Sequence, residues 1–205
     1  MTNFTVIPAR IALVNVDIQN CFVESSAPDG LVVLERINRL AGVCRDVGIV
    51  VFHIRHALPA GLDPGVLGEI FPIVKTARFL DRDSETAAFH KMLVRDPRDI
   101  LLEKSHYGAF YETNLELLLR RRGIDTIIIT GIETNVCCDT TAREAMVRDF
   151  RVFFLSDGTT TSGVEGISRD EVQRATLATI GMCFAQVLTV DATIQKVKDA
   201  VDAAI

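Results

Sequence analysis

The sequence predicts an α/β domain of three layers, α/β/α and Rossmann-like, around a mainly parallel sheet of six strands. Three observations predict it. Six short apolar runs rich in Val, Ile, Leu and Phe recur along the chain. Segments with helical spacing of apolar residues separate most of them. The runs are continuously apolar rather than alternating, which is the pattern of strands covered on both faces. At 205 residues, with 48% hydrophobic and 24% charged side chains, the chain has the length and composition of one globular domain, read as spanning 1–205. No repeat, low-complexity tract or internal linker interrupts it.

Taken in order, RIALVNVD (10–17) is the first strand and ends in an acid. GLVVLERINRLAGVCRDVG (30–48) has helical periodicity and closes on Gly48. IVVFHIRH (49–56) is the second strand. Residues 57–98, with glycines at 61, 65 and 68 and prolines at 59, 64 and 72, predict loops, with one short helix at ETAAFHKML. DILLEK (99–104) is the third strand, and TNLELLLRRRG (113–123) a helix between a Thr113 cap and Gly123. DTIIITG (125–131) is the fourth strand, followed by a helix over 134–150. RVFFLSDG (151–158) is the fifth. SRDEVQRATLATIG (168–181) is a helix opened by a Ser168/Glu171 capping box. AQVLTV (185–190) is the last strand and 191–204 the closing helix.

Composition excludes some functions. A net charge of −5 argues against a nucleic-acid partner held by bulk electrostatics, and RRR at 120–122 reads as a solvated helix end. No apolar run reaches the roughly 18–20 residues of a membrane span. The start, MTNFTVIPAR, lacks the parts of a signal peptide. Cysteines at 21, 44, 137, 138 and 183 show no framework spacing, which predicts a reduced, cytoplasmic protein. No G-x-G-x-x-G follows the first strand, so a dinucleotide site is not predicted.

Parallel sheets place their sites at the C-terminal ends of strands. Asp17 ends the first strand, Lys104 ends the third, and Cys137 follows the fourth. An acid, a cation and a thiol could meet there for nucleophilic catalysis. Lys104 and the helix start would lower the Cys137 pKa. Asp17 would carry the proton between thiol and leaving amine. Backbone N–H groups around 133–137 would form an oxyanion hole. The same residues also read as an ordinary strand-end acid, a surface lysine and a buried cysteine, and pattern alone leaves both readings open.

VDIQNCF resembles the first signature of the isochorismatase-like cysteine hydrolases, usually V-D-x-Q-N-D-F. EKSHYGAFYETNLELLL resembles their lysine segment, usually K-x-x-Y-S-A-F followed by T-x-L and leucines. GIETNVCCDTTAREA resembles their cysteine segment, usually G-[IV]-x-T-N-x-C-V-x-x-T-A-R-[DE]-A. The three occur in order across nearly the whole chain. The resemblance implies Asp17 as catalytic acid/base, Lys104 as charged orienter and Cys137 as nucleophile. It also implies a cis peptide at Ile132–Glu133 that presents the Glu133 amide beside that of Cys137. Two positions depart from the pattern: Cys21 where aspartate is common, and Gly108 where serine is usual. Both flank the expected pocket and would alter substrate fit. A redox pairing of Cys21 with Cys137 is a minor alternative.

Cys138 stands where valine is usual and reads as packing, with a vicinal redox pair as the alternative; a zinc pair would need C-x₂₋₄-C spacing. Cys44 and Cys183 read as core. Members of the family with a metal carry an acid and histidines after the second strand; FHIRHALPAG has His53 and His56 without the acid, so no metal and no cofactor are expected. His53 reads as core and His56 as a substrate contact. Alternation puts Arg55 on the face opposite His56. His90 reads as surface, and His106 as structural. Phe22 and Tyr107 either wall a small planar substrate or pack. The Glu133 side chain either contacts substrate or lends only its backbone.

The presence of Cys137 favours the amidohydrolase branch of the family. The expected reaction is C–N cleavage of a small amide, ureido or carbamoyl substrate, with ammonia released from an acyl-enzyme. Isochorismatase-type vinyl-ether hydrolysis using Asp17 as acid, and a non-catalytic or redox module of the same fold, are the alternatives. The resemblance further implies a homodimer or homotetramer, with no nucleic-acid or membrane partner.

Overall fold

The four inner apolar runs become strands largely buried on both faces, while the two at the sheet edges, Ile100–Lys104 and Gln186–Leu188, are only partly buried. The computed structural model describes residues 3–26 and 29–203. In chain order it holds β1 (Ile11–Val16), α1 (Asn20–Ser25), α2 (Asp29–Asp46), β2 (Val50–His56), α3 (Val66–Ile70) and α4 (Pro72–Thr76). Then come β3 (Ile100–Lys104), α5 (Leu115–Arg121), β4 (Thr126–Ile132), α6 (Asp139–Met146), β5 (Arg151–Thr160), α7 (Arg169–Cys183), β6 (Gln186–Leu188) and α8 (Val190–Asp202). The six strands form one sheet in the order β3-β2-β1-β4-β5-β6. Every pairing is parallel.

Strand alternation divides the core between two faces. From β1, Ile11 and Leu13 pack with Leu40 and Cys44 of α2 and Ile194 of α8. Ala12, Val14 and Val16 pack on the other side with Leu115 of α5, Ala142 of α6 and Ile180 of α7. Helices therefore cover both faces, as the three-layer expectation requires. The chain runs outward from β1 to β3 and returns to β4, so a crevice opens between the C-terminal ends of β1 and β4. No helix among the described residues is long and apolar enough to cross a membrane.

Gly131 permits the close approach of those two strands. Its φ is +137°, and a Cβ there would stand 2.0 Å from the Val16 carbonyl oxygen. Backbone cannot yield as a side chain would. Gly131→Ala is expected to lower stability by about 3 kcal/mol or more. A urea midpoint equal to that of the wild type would contradict this.

Several elements differ from the sequence expectation. ETAAFHKML forms turns, not a helix. Its backbone serves another segment: the N–H groups of Asn20 and Cys21 donate to the carbonyls of Ala88 and Thr86, and the His90 N–H donates to Ile18. These tertiary bonds replace a helical ladder. Conversely, α3 and α4 occupy the region expected to be loops, and α1 was not expected. The helix expected over 134–150 begins as a π-helical turn, Thr134–Cys138, and becomes α-helical at Asp139. At α5 the capping position is Asn114, while the Thr113 hydroxyl accepts the Leu115 N–H. The Ser168/Glu171 capping box is present. Cys44 is core, but Cys183 is exposed at the end of α7, where only Ile180 is buried. Ala204, last of the expected closing helix, lies outside the described residues.

Candidate active site

β1 ends in an abrupt turn. Asp17 takes φ +55°, a left-handed conformation that aspartate tolerates better than most residues. Its N–H still donates to the Ile54 carbonyl of β2 at 2.8 Å, so the turn stays anchored to the sheet. Lys104, the last residue of β3, is paired in register with His56 of β2. Its Nζ crosses the end of β2 to reach Asp17 Oδ2 at 2.7 Å, with both side chains fully buried. The same Nζ donates to the His106 carbonyl at 3.0 Å and to Cys137 Sγ at 3.5 Å. The three strand-end residues thus form one cluster. The Ile132–Glu133 peptide beside it is cis.

Electrostatics correct one expectation. Burial pushes the Asp17 carboxyl above its ordinary value, against the pull of Lys104 and of the Cys137 thiol that hydrogen-bonds it. Burial also opposes the Lys104 charge, yet Asp17 and Cys137 outweigh it and raise that pKa. Cys137 does not become a low-pKa thiol. Burial raises it, Lys104 pulls it back in part, and Asp17 adds to the rise. The cysteine lies in the π-helical turn that leads directly into α6, at the start of that helical segment, and burial outweighs what the helix start and Lys104 offer it. A carboxylate whose pKa has been raised is the better base for that thiol.

Cys137 lines a cavity of about 340 Å³ with Phe22, His56, Tyr107, Glu133 and apolar residues of α3 and α4. All four residues expected to touch substrate therefore face it. The His56 Nε2 lies 3.1 Å from the Ser105 carbonyl, an acceptor, which places the ring proton on Nε2. Burial and the Lys104 charge pull its pKa down to about 3, so the ring is neutral. Tyr107 meets that ring edge-on, with centroids 6.3 Å apart. The Glu133 carboxylate accepts from the Ser162 hydroxyl at 2.5 Å and from the Thr161 hydroxyl at 3.0 Å. It is thereby tied to the loop after β5. A second crevice, about 420 Å³, holds Arg55, Phe89 and Arg95 and none of the three clustered residues.

Arg55 pairs with Glu103 there, on the face opposite His56 as alternation required. His53 is fully buried, with Nε2 3.0 Å from Asp99 and Nδ1 3.2 Å from the Asn15 amide. No group of three or more His, Cys, Asp or Glu among the described residues could hold a metal ion. His90, expected at the surface, is buried, because its segment is drawn under α1 by the backbone bonds described above. His106 is exposed and lends Lys104 its carbonyl.

Cys138 is fully buried in the core beneath α6, and every cysteine among the described residues is a free thiol. Cys21 packs against Leu58, Val74 and Leu80 and does not line the cavity; burial, with Asp17 nearby, pushes its thiol up to about 12. Gly108 faces Glu144, not the cavity. A Cβ there would lie 2.2 Å from the Glu144 carboxylate, which accepts the Phe110 N–H. Its expected effect on substrate fit is therefore replaced by a packing role.

Sequence reasoning missed Gln19, although it sits in the first signature. Its amide accepts the His56 N–H at 2.7 Å and donates to the carbonyls of His56 and Ala87 at 2.9 and 2.8 Å. It clamps the end of β2 to the turn carrying Asp17. The α3–α4 wall was missed too, because its apolar residues lie among glycines and prolines and keep no periodicity.

His56 makes stability depend on pH. Its folded pKa, about 3, lies below the ordinary value of 6.5. Its contribution is complete above pH ~6.5 and is lost as pH falls toward the folded value. This group alone is expected to cost about 2 kcal/mol between pH 7 and pH 5. The raised Asp17 acts in the opposite sense, so the comparison needed is wild type against His56→Gln. Urea unfolding at both pH values should show a flatter dependence in the variant, and equal slopes would refute the assignment.

The family model described as Isochorismatase domain matches residues 11–192. Nicotinamidase 3 of Arabidopsis thaliana is 35% identical over 182 residues, which cover 88% of this chain and 85% of the relative. Ureidoacrylate amidohydrolase RutB of Methylobacterium radiotolerans is 31% identical over 210 residues, covering 90% of this chain and 78% of the relative. The crystal structure of a cysteine hydrolase from Pseudomonas syringae pv. phaseolicola superposes with a TM-score of 0.88 at 29% identity, covering 97% of each chain. A match across nearly the whole sheet, with the clustered residues inside it, decides the matter: the chain belongs to the isochorismatase family.

Proposed function

We propose that the chain is a cysteine amidohydrolase, which cleaves the C–N bond of a small amide, ureido or carbamoyl compound and releases ammonia. The observation that carries this is the Lys104 ammonium, 2.7 Å from Asp17 and 3.5 Å from a Cys137 sulfur that lines a cavity. The relatives named nicotinamidase and ureidoacrylate amidohydrolase support the same bond type.

In this reading the substrate carbonyl sits over Cys137. The thiol proton passes to Asp17 as sulfur attacks the carbonyl carbon. The backbone amides of Glu133 and Cys137 receive the oxyanion. Asp17 then returns the proton to the leaving nitrogen, ammonia departs, and a thioester remains on Cys137. Asp17 next takes a proton from water, whose oxygen attacks the thioester; sulfur leaves and recovers the proton. Lys104 stays an ammonium throughout and holds the carboxylate in place while the charge on sulfur changes. The test is an ammonia-release screen over amides, ureas and carbamoylated amino acids, with quenched samples searched by mass spectrometry for an acyl adduct on Cys137. Ammonia with the adduct is expected. No ammonia and no adduct from any compound would overturn the proposal.

A further inference from the structure

We infer that the substrate is an uncharged primary amide with an apolar acyl group, and that the cavity disfavours amides bearing a carboxylate. The inference rests on the amidohydrolase reading and narrows it to a substrate class.

The cavity wall is mostly apolar. Phe22, Leu67, Phe71, Val74, Phe79 and Val136 surround the approach to Cys137. Phe71 and Ile73 remain about half exposed, at 50% and 58%, and an acyl group in the cavity would cover such surface.

Charge works in the same direction. No lysine or arginine lines the cavity among the described residues. Lys104, behind it, is fully buried and already shared among Asp17, the His106 carbonyl and Cys137. His56 is neutral and spends its Nε2 proton on the Ser105 carbonyl. Arg55 is turned into the other crevice and paired with Glu103. Among the described residues the one charged side chain in the lining is Glu133, held by Ser162 and Thr161. A substrate carboxylate would leave water, meet no cation and face a like charge.

The test uses matched pairs: para-isopropylbenzamide with para-carboxybenzamide, and isocaproamide with succinamate. Wild type is expected to favour the neutral member in kcat/KM by about 100-fold or more, the scale of one like-charge contact. Ile73→Arg adds a cation at an exposed position of the wall and is expected to narrow that ratio at least about tenfold, acting mainly on KM for the anionic member. Calorimetry on Cys137→Ala reads the same preference as binding of the intact amide, independently of turnover. Equal or better turnover or binding of the carboxylated members would overturn this inference and leave the amidohydrolase reading standing. Neutral amides that bind preferentially yet release no ammonia and form no adduct would overturn the amidohydrolase reading instead.

Discussion

Cys137→Ala is expected to reduce ammonia release by about 10⁴-fold or more, the scale of removing a nucleophile from a cluster that acts as a unit. The substitution is a clean one. It deletes a single sulfur at a 5%-exposed position, and Asp17 and Lys104 keep their 2.7 Å contact without it. Circular dichroism and the unfolding midpoint should change little, so lost activity reports chemistry rather than folding. The variant also separates the two hydrolytic readings. Vinyl-ether cleavage needs the Asp17 proton and no sulfur, so that activity would survive Cys137→Ala and fail in Asp17→Asn. Undiminished ammonia release from Cys137→Ala would remove the nucleophile from the mechanism.

Lys104→Met is expected to cost about 3–5 kcal/mol at pH 7, because it strands a fully buried carboxylate. The cost has a pH signature. Asp17 already titrates above its ordinary value with Lys104 beside it, and losing the cation raises it further. A carboxyl with a raised folded pKa favours the fold when protonated, so the deficit should shrink as pH falls from 7 to 5. Adding Asp17→Asn removes the charge and should restore part of the stability. Urea midpoints of the single and double variants at both pH values measure this. A single variant as stable as wild type at pH 7 would mean that the buried pair contributes nothing, and that Lys104 is held for chemistry alone.

Much of the site was legible along the chain because strand ends are local features. An acid after RIALVNV, a lysine after ILLE and a cysteine after TIIITG announce themselves by residue type and by the apolar run each one closes. The parallel order brings those ends to one side of the sheet, so the convergence of Asp17, Lys104 and Cys137 follows from topology. The distinction between Cys137 and Cys138 was legible for a similar reason. Neighbours on a helical turn point in different directions, one here to the cavity and the other to the core.

Other features depend on sums over remote elements. ETAAFHKML has helix-forming residues, but its carbonyls are taken by the N–H groups of Asn20 and Cys21, a bond partnership some sixty-five residues away in sequence. His90 was drawn inside by the same contacts. The α3–α4 wall depends on which surface two five-residue helices are pressed against, and no period within them encodes it.

The sequence by itself determined the ladder of six strands and the three residue types that close on one crevice, because burial of the inner strands on both faces writes continuous apolar runs, the partly buried edge strands keep short apolar ones, and strand ends mark themselves. Only the tertiary structure decided which way the pKa values of the cluster shift and which side chains wall the cavity. A thiol beside a lysine looks activated until burial and an adjacent carboxylate are added, and their combined effect on Cys137 is upward. Those contributions come from β1, β3 and the turn after β4, whose separation in space no local pattern records.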